Sequence, residues 1–274
     1  MNLVLQPATE AQAAEAARLA GAQAVERAGE AAYRLRAAAA NPAVLAYCGG
    51  QRIDCAARDG AQRFADLKLL ALDMDSTLIT IECIDELGDL AGKKAEISEI
   101  TALAMRGEID YPESLYQRVA LLRGLGVEAL QRVYDERLRL SPGAEALVAA
   151  CRRHGVRLLL ISSGFSFFTD RLKQRLGLDF TVSNQLETHA GRLTGALVGD
   201  IVDAQTKAWR FLEAAQALGA AREQTVAIGD GANDLAMMAE AGTSVAFRAK
   251  PLVQAKASCA LNYAGLDGVI PLFG

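Results

Sequence analysis

Three short polar clusters each follow an apolar run: Asp73-Met74-Asp75-Ser76-Thr77, Ser162-Ser163-Gly164 and Gly229-Asp230-Gly231-Ala232-Asn233-Asp234. If the three converge, Asp73, Asp75, Asp230 and Asp234 bring four carboxylates together, and such a group repels itself and raises its own pKa values. A hard divalent cation relieves that repulsion. The chain has only two histidines, His154 and His189, and no C-x-x-C pair, so the ligands must be oxygens, which favours Mg²⁺ over zinc. Lys207, between the second and third clusters, supplies a further positive charge. Ser162 and the amides around Ser163-Gly164 offer neutral donors to an oxyanion. A cation, a lysine and neutral donors around carboxylates suit a phosphoryl group, whose charge must be neutralised during transfer. A carboxylate at the centre can itself attack, giving an aspartyl-phosphate.

Any one of these features is ordinary, since an acidic residue after a strand is most often a turn or cap residue. Their order and shared position are what point to one site. The apolar runs 67–72, 156–161 and 225–228, with a weaker one at 244–247, predict strands buried on both faces of a parallel sheet. Helices separate them. Ser141-Pro142-Gly143 opens one, with Ser as N-cap and Pro at the first helical position, running to about 153 and ended by Gly155; another spans 204–218 before Gly219. Strand, helix, strand in alternation predicts an α/β fold with a doubly wound, mostly parallel sheet, whose ligands bind beyond the carboxyl ends of the strands.

Between the first strand and Ser141 lie about 60 residues without a strand signal, far too many for a loop. Helical patterns near 84–91, 93–106, 112–123 and 127–138 predict a small helical cap inserted after the first core strand. Residues 181–202, punctuated by Gly191, Gly195 and Gly199, read as a hairpin. The first 65 residues have a different texture. Thr9 and Gln12 form a capping-box pattern opening an Ala-rich helix that runs to Asn41-Pro42, followed by short strands at 43–48 and 53–56. The expected organisation is an appendage of unassigned role at 1–65, a catalytic core at 66–80 and 139–274, and the cap at 81–138.

The 274 residues carry 29 Lys+Arg against 33 Asp+Glu, a net charge of −4. A mildly acidic chain without a basic run is a poor partner for nucleic acid or a membrane surface. Cys48, Cys55, Cys83, Cys151 and Cys259 are odd in number and form no framework, which points to a reducing compartment. No apolar stretch approaches a membrane span, and the N-terminus has no leader pattern. The expected location is the cytoplasm; the oligomeric state stays open.

Asp73-Met74-Asp75-Ser76-Thr77 resembles the D-x-D-x-T signature of the haloacid-dehalogenase-like phosphatases, and Ser162, Lys207 and the 229–234 cluster resemble that superfamily's remaining motifs in order. The superfamily resemblance runs over about 67–268, and within it residues 73–86, Ala104-Met105-Arg106-Gly107-Glu108 and Ser114-Leu115-Tyr116-Gln117-Arg118-Val119 are similar to the pattern of the phosphoserine phosphatases. Tyr111 stands where that family usually has Phe. The resemblance implies a HAD-like Rossmannoid core and Mg²⁺-dependent hydrolysis of O-phosphoserine, the last step of serine biosynthesis. It implies Asp73 as nucleophile and Asp75 as acid–base, with the Asp75 backbone carbonyl on the metal. Asp230 would join Asp73 on the metal, with Asp234 behind. Ser162, the Ser163 amide and Lys207 would grip the phosphate, with Asn233 near it. Glu82 and Arg118 would bind the amino-acid end, against Met105 as an apolar wall. The competing expectations are another small amine phosphate as substrate, such as phosphohomoserine or phosphoethanolamine, and a non-catalytic phosphoaspartate switch.

Overall fold

Two sheets, of four and seven strands, organise the chain; the computed structural model describes residues 1–58 and 62–274. The first sheet is antiparallel. It is built from β1 (Asn2–Gln6), α1 (Glu10–Ala20), β2 (Ala24–Arg27), β3 (Tyr33–Arg36), α2 (Pro42–Gly50) and β4 (Asp54–Arg58), in the strand order β2-β3-β1-β4. The Thr9–Gln12 capping box forms as expected, but the helix does not run on to Asn41. It stops at Ala20, because Gly21 takes the left-handed conformation (φ 62°) and turns the chain into β2. Segment 43–48, expected as a strand, is helical. The Asn41 side chain accepts from Val44 N at 3.0 Å and Pro42 occupies the first turn, so a complete N-cap outweighs a short apolar run.

The second sheet begins at β5 (Leu69–Leu72), whose four residues are all buried. The segment expected as the cap follows as four helices, α3 (Cys83–Leu90), α4 (Lys94–Met105), α5 (Tyr111–Ala120) and α6 (Glu128–Arg132). Then come α7 (Ala144–His154), β6 (Arg157–Phe165), α8 (Ser166–Leu176), the hairpin β7 (Phe180–His189) and β8 (Arg192–Val198), and α9 (Ala204–Ala217). The chain closes with β9 (Thr225–Gly229), α10 (Leu235–Glu240), β10 (Thr243–Phe247), α11 (Pro251–Lys256) and β11 (Cys259–Leu261). The order is β11-β10-β9-β5-β6-β7-β8, parallel throughout except for β8. The chain moves outward from β5 through β6 and then returns to its other side at β9, so the reversal of direction falls at β5, where a ligand crevice is expected. At α7 the expected cap is corrected: Gly143, with φ 79°, is the N-cap, and Ser141 and Pro142 precede the helix.

Buried polar ties join the two sheets' regions. Arg34 donates to the carbonyls of Pro271 and Phe273 at 2.9 and 2.7 Å, and Gln6 to that of Gly268 at 2.6 Å. Asp54 accepts from the amides of Asn262, Tyr263 and Ala264 at 2.8, 3.0 and 2.9 Å. No helix among the described residues is long and apolar enough to cross a membrane.

Candidate active site

The end of β5 sets the centre of the site. Asp73 continues the ladder, its N–H donating to Ile228 O of β9 at 3.0 Å, and the residue is 4% exposed. The chain then makes a tight irregular turn, with Leu78 N on Asp73 O at 3.2 Å and Ser76 at φ 56°. The turn lifts Asp75 beside Asp73, and Cys83 N, at the start of the cap, donates to Asp75 Oδ1 at 2.8 Å. Thr77 Oγ1 reaches across to Asp230 Oδ1 at 3.2 Å.

Lys207 lies one turn inside α9, whose N-terminus is capped by Asp203 accepting from Thr206 N at 2.8 Å. Its ammonium is fully buried and donates to Asp73 Oδ1 at 2.5 Å and to Asp234 Oδ1 at 2.8 Å. Burial alone would lower its pKa; the Asp234 and Asp73 carboxylates outweigh burial and keep it cationic. Asp234 also accepts from the amides of Asp230 and Gly231 through Oδ2, at 3.2 and 3.1 Å. A side chain at Gly229 would collide with that carboxylate, so glycine is needed for the close approach.

One ammonium does not balance this much acid. Burial, then the neighbouring Asp234 and Glu82, pushes Asp230 up to about 6, and burial raises both Asp73 and Asp75. Oxygens of Asp73, Asp230 and Asp234 lie within 4.8 Å of one another. An all-oxygen donor set with uncompensated negative charge fits a hard metal ion.

The Ser162-Ser163-Gly164 turn faces the carboxylates. Gly164 N donates to Ser162 Oγ at 2.8 Å, and that hydroxyl lies 3.4 Å from Asp75 Oδ2. A Cβ on Gly164 would come within 2.5 Å of the same oxygen, which explains the glycine. Asn184 Nδ2 donates to Ser163 O at 2.7 Å, and the Tyr111 hydroxyl, from the cap, does so at 3.3 Å.

Glu82 directly precedes α3, and Arg118 lies in α5 with its charge acting on Glu82. Ser76 Oγ donates to Glu82 Oε1 at 2.6 Å. The rim still meets solvent, yet desolvation, followed by the Asp75 charge, moves the Glu82 carboxyl to about 7, with Arg118 pulling the other way. Arg118 Nε donates to Ser114 O within its own helix at 3.2 Å, and its charge also acts on Asp85. Asn233 is half-buried beside Gly231. Met105, implied as an apolar wall, sits exposed at the end of α4. Asn184 escaped the sequence reading. Its one sequence-level signal is a carboxamide inside an otherwise alternating strand, where Asn is disfavoured.

Residues 70–239 match the family model of the haloacid dehalogenase-like hydrolases. Over 215 residues the chain is 55% identical to a phosphoserine phosphatase of Polaromonas sp., covering 77% of this chain and 91% of that protein. Among solved structures, a probable phosphoserine phosphatase from Vibrio cholerae superposes with a TM-score of 0.87 at 39% identity, covering 99% of this chain and 85% of that one. A phospho-aspartyl intermediate analogue of phosphoserine phosphatase superposes with a TM-score of 0.71 at 34% identity, covering 76% of this chain and 99% of that one.

Proposed function

The chain belongs to the haloacid dehalogenase-like hydrolases, among the phosphoserine phosphatases, and on that premise we propose that it hydrolyses O-phosphoserine to serine and phosphate through a phosphorylated Asp73. The carrying observation is the buried clasp of Lys207 between Asp73 and Asp234, with the Ser162 hydroxyl on the neighbouring Asp75 and with Glu82 in reach of the Asp75 and Arg118 charges. It supports a phosphoryl site with a distinct amino-acid end. Asp73 attacks phosphorus while Asp75 gives its proton to the departing serine oxygen; Asp75 then takes a proton from the water that releases phosphate and frees Asp73. Lys207, Ser162 and the Ser163 amide hold the phosphate oxygens, and Asn233 borders them. Arg118 offers its forked donors to the substrate carboxylate and Glu82 answers the ammonium. Asp73, Asp230 and the Asp75 carbonyl would hold Mg²⁺, with Asp234 behind, and the ion would supply charge neutralisation for the transferring group.

The division into an appendage (1–65), a core and a cap (81–138) is part of the same reading; the separate antiparallel sheet supports it. Five free cysteines suit a cytoplasmic location. The test is phosphate release from O-phosphoserine with Mg²⁺, compared with phosphoethanolamine and an aryl phosphate. A clear preference for phosphoserine is expected; equal or better turnover of the others would overturn the substrate assignment.

A further inference from the structure

The Ser163 peptide is held at both ends, and the holding leads to Asn184. The β6–β7 ladder pairs Ile161 with Val182 and resumes at Phe165 with Asn184, so residues 162–164 leave it as a bulge opposite residue 183. Bulges disrupt the ladder locally and re-aim side chains. The Ser163 carbonyl takes the carboxamide N–H₂ of Asn184 at 2.7 Å. The other end of that peptide, Gly164 N, donates to Ser162 Oγ. This occupies one lone pair of the hydroxyl, whose proton is directed at Asp75 Oδ2, 3.4 Å away. Asn184 Oδ1 accepts from Val202 N at 2.7 Å. Val202 directly precedes Asp203, the cap of the helix that carries Lys207. Asn184 itself is 2% exposed. A carbonyl on one side and an N–H on the other fix its amide orientation.

We propose that Asn184 is a positioning residue for phosphate capture: its carboxamide locks the Ser163 peptide and ties it to the start of α9, so that the Ser162 hydroxyl and the Lys207 ammonium keep a fixed separation across the phosphoryl position. This rests on the phosphatase reading above. Without the donor from Asn184 the Ser163 carbonyl keeps only the longer bond from the Tyr111 hydroxyl at 3.3 Å, and the peptide that orients the Ser162 hydroxyl is held less firmly.

Asn184→Asp tests it. The variant keeps the shape and the acceptor for Val202 N, but when ionised has no donor for Ser163 O. At pH 8 the specificity constant falls about tenfold, the order expected when a buried carbonyl loses its donor and faces a carboxylate. Inhibition by inorganic phosphate weakens by a similar factor. The preference for phosphoserine over an aryl phosphate does not change, since both share the phosphate end. The deficit against wild type narrows as pH falls, because a protonated carboxyl donates again. A folded Asn184→Asp with phosphate inhibition and turnover within about twofold of wild type, or with a changed substrate preference, overturns the proposal. If Asn184→Asp does not fold, Asn184→Ser takes its place with the same expected phosphate-specific loss, and failure of both to fold assigns Asn184 to stability alone and overturns it. If wild type turns over only the aryl phosphate, the substrate reading fails while the Asn184 comparison proceeds on that ester.

Discussion

Lys207 and Asp73 meet at 2.5 Å across 134 residues of sequence, with the lysine side chain fully shielded from water. A buried ammonium of this kind is held only by its acidic partners, and they by it. Lys207→Ala therefore leaves two buried carboxylates unpaired. We expect a loss of about 3–5 kcal/mol in stability by chemical denaturation, together with loss of turnover. Trp209→Ala, at an exposed position two residues along the same helix, serves as the control and is expected to leave both unchanged.

The oxygens of Asp73, Asp230 and Asp234 share one small volume with too little positive charge. Chelation should abolish turnover and Mg²⁺ restore it, while Ca²⁺, with its longer and looser coordination, supports little. Mg²⁺ should also raise the melting temperature, and Asp230→Asn should blunt that rise. Full activity after exhaustive chelation would rule out the metal.

Asp73 and Asp75 are distinguishable by their chemistry. Asp73→Asn should give no phosphoenzyme on a rapid quench. Asp75→Asn should slow both phosphorylation and hydrolysis, each by roughly 10²–10⁴, the usual worth of acid–base catalysis. Labelled phosphate recovered on a serine would refute Asp73 as nucleophile.

Arg118 and Glu82 are expected to select the substrate. Arg118→Ala should lower the specificity constant for phosphoserine by about one to two decades, as for a charge-assisted hydrogen bond of roughly 1.5–3 kcal/mol, and leave phosphoethanolamine almost unaffected. Equal losses on both would assign Arg118 to the phosphate or to the fold.

The position of Glu82 carries a sign in pH. Its carboxyl is raised to about 7 in the free site, chiefly by desolvation. The ionised form, which attracts the substrate ammonium, is populated above that value and lost as pH falls through it. The specificity constant for phosphoserine relative to an aryl phosphate should therefore drop on the acid side, and Glu82→Gln should flatten that drop. A ratio independent of pH in wild type would remove Glu82 from ammonium recognition.

Buried parallel strands must be apolar on both faces, so β5, β6, β9 and β10 stand out as continuous runs, and a polar residue where such a run ends has few roles besides the site. The three clusters, the intervening lysine and the helical cap were legible for that reason. The N-terminal region was not, because alanine-rich stretches offer little contrast between helix, turn and strand; the stop at Gly21 depends on one left-handed residue and the helix at Pro42–Gly50 on one cap. Asn184, the contact made by Tyr111, and Arg34 were illegible for another reason. Their partners, Ser163, Ser163 and Pro271, lie 21, 52 and 237 residues away, and each is a backbone carbonyl that has no side-chain signature. Residue types and local periodicity singled out Asp73, Asp75, Ser162, Lys207, Asp230 and Asp234 as one cluster, while Glu82 and Arg118 came from the family resemblance. The β6 bulge, the contact of the cap on the Ser163 peptide and the ties that fasten the first sheet were decided only when the packed chain brought unpaired backbone groups within reach of distant donors.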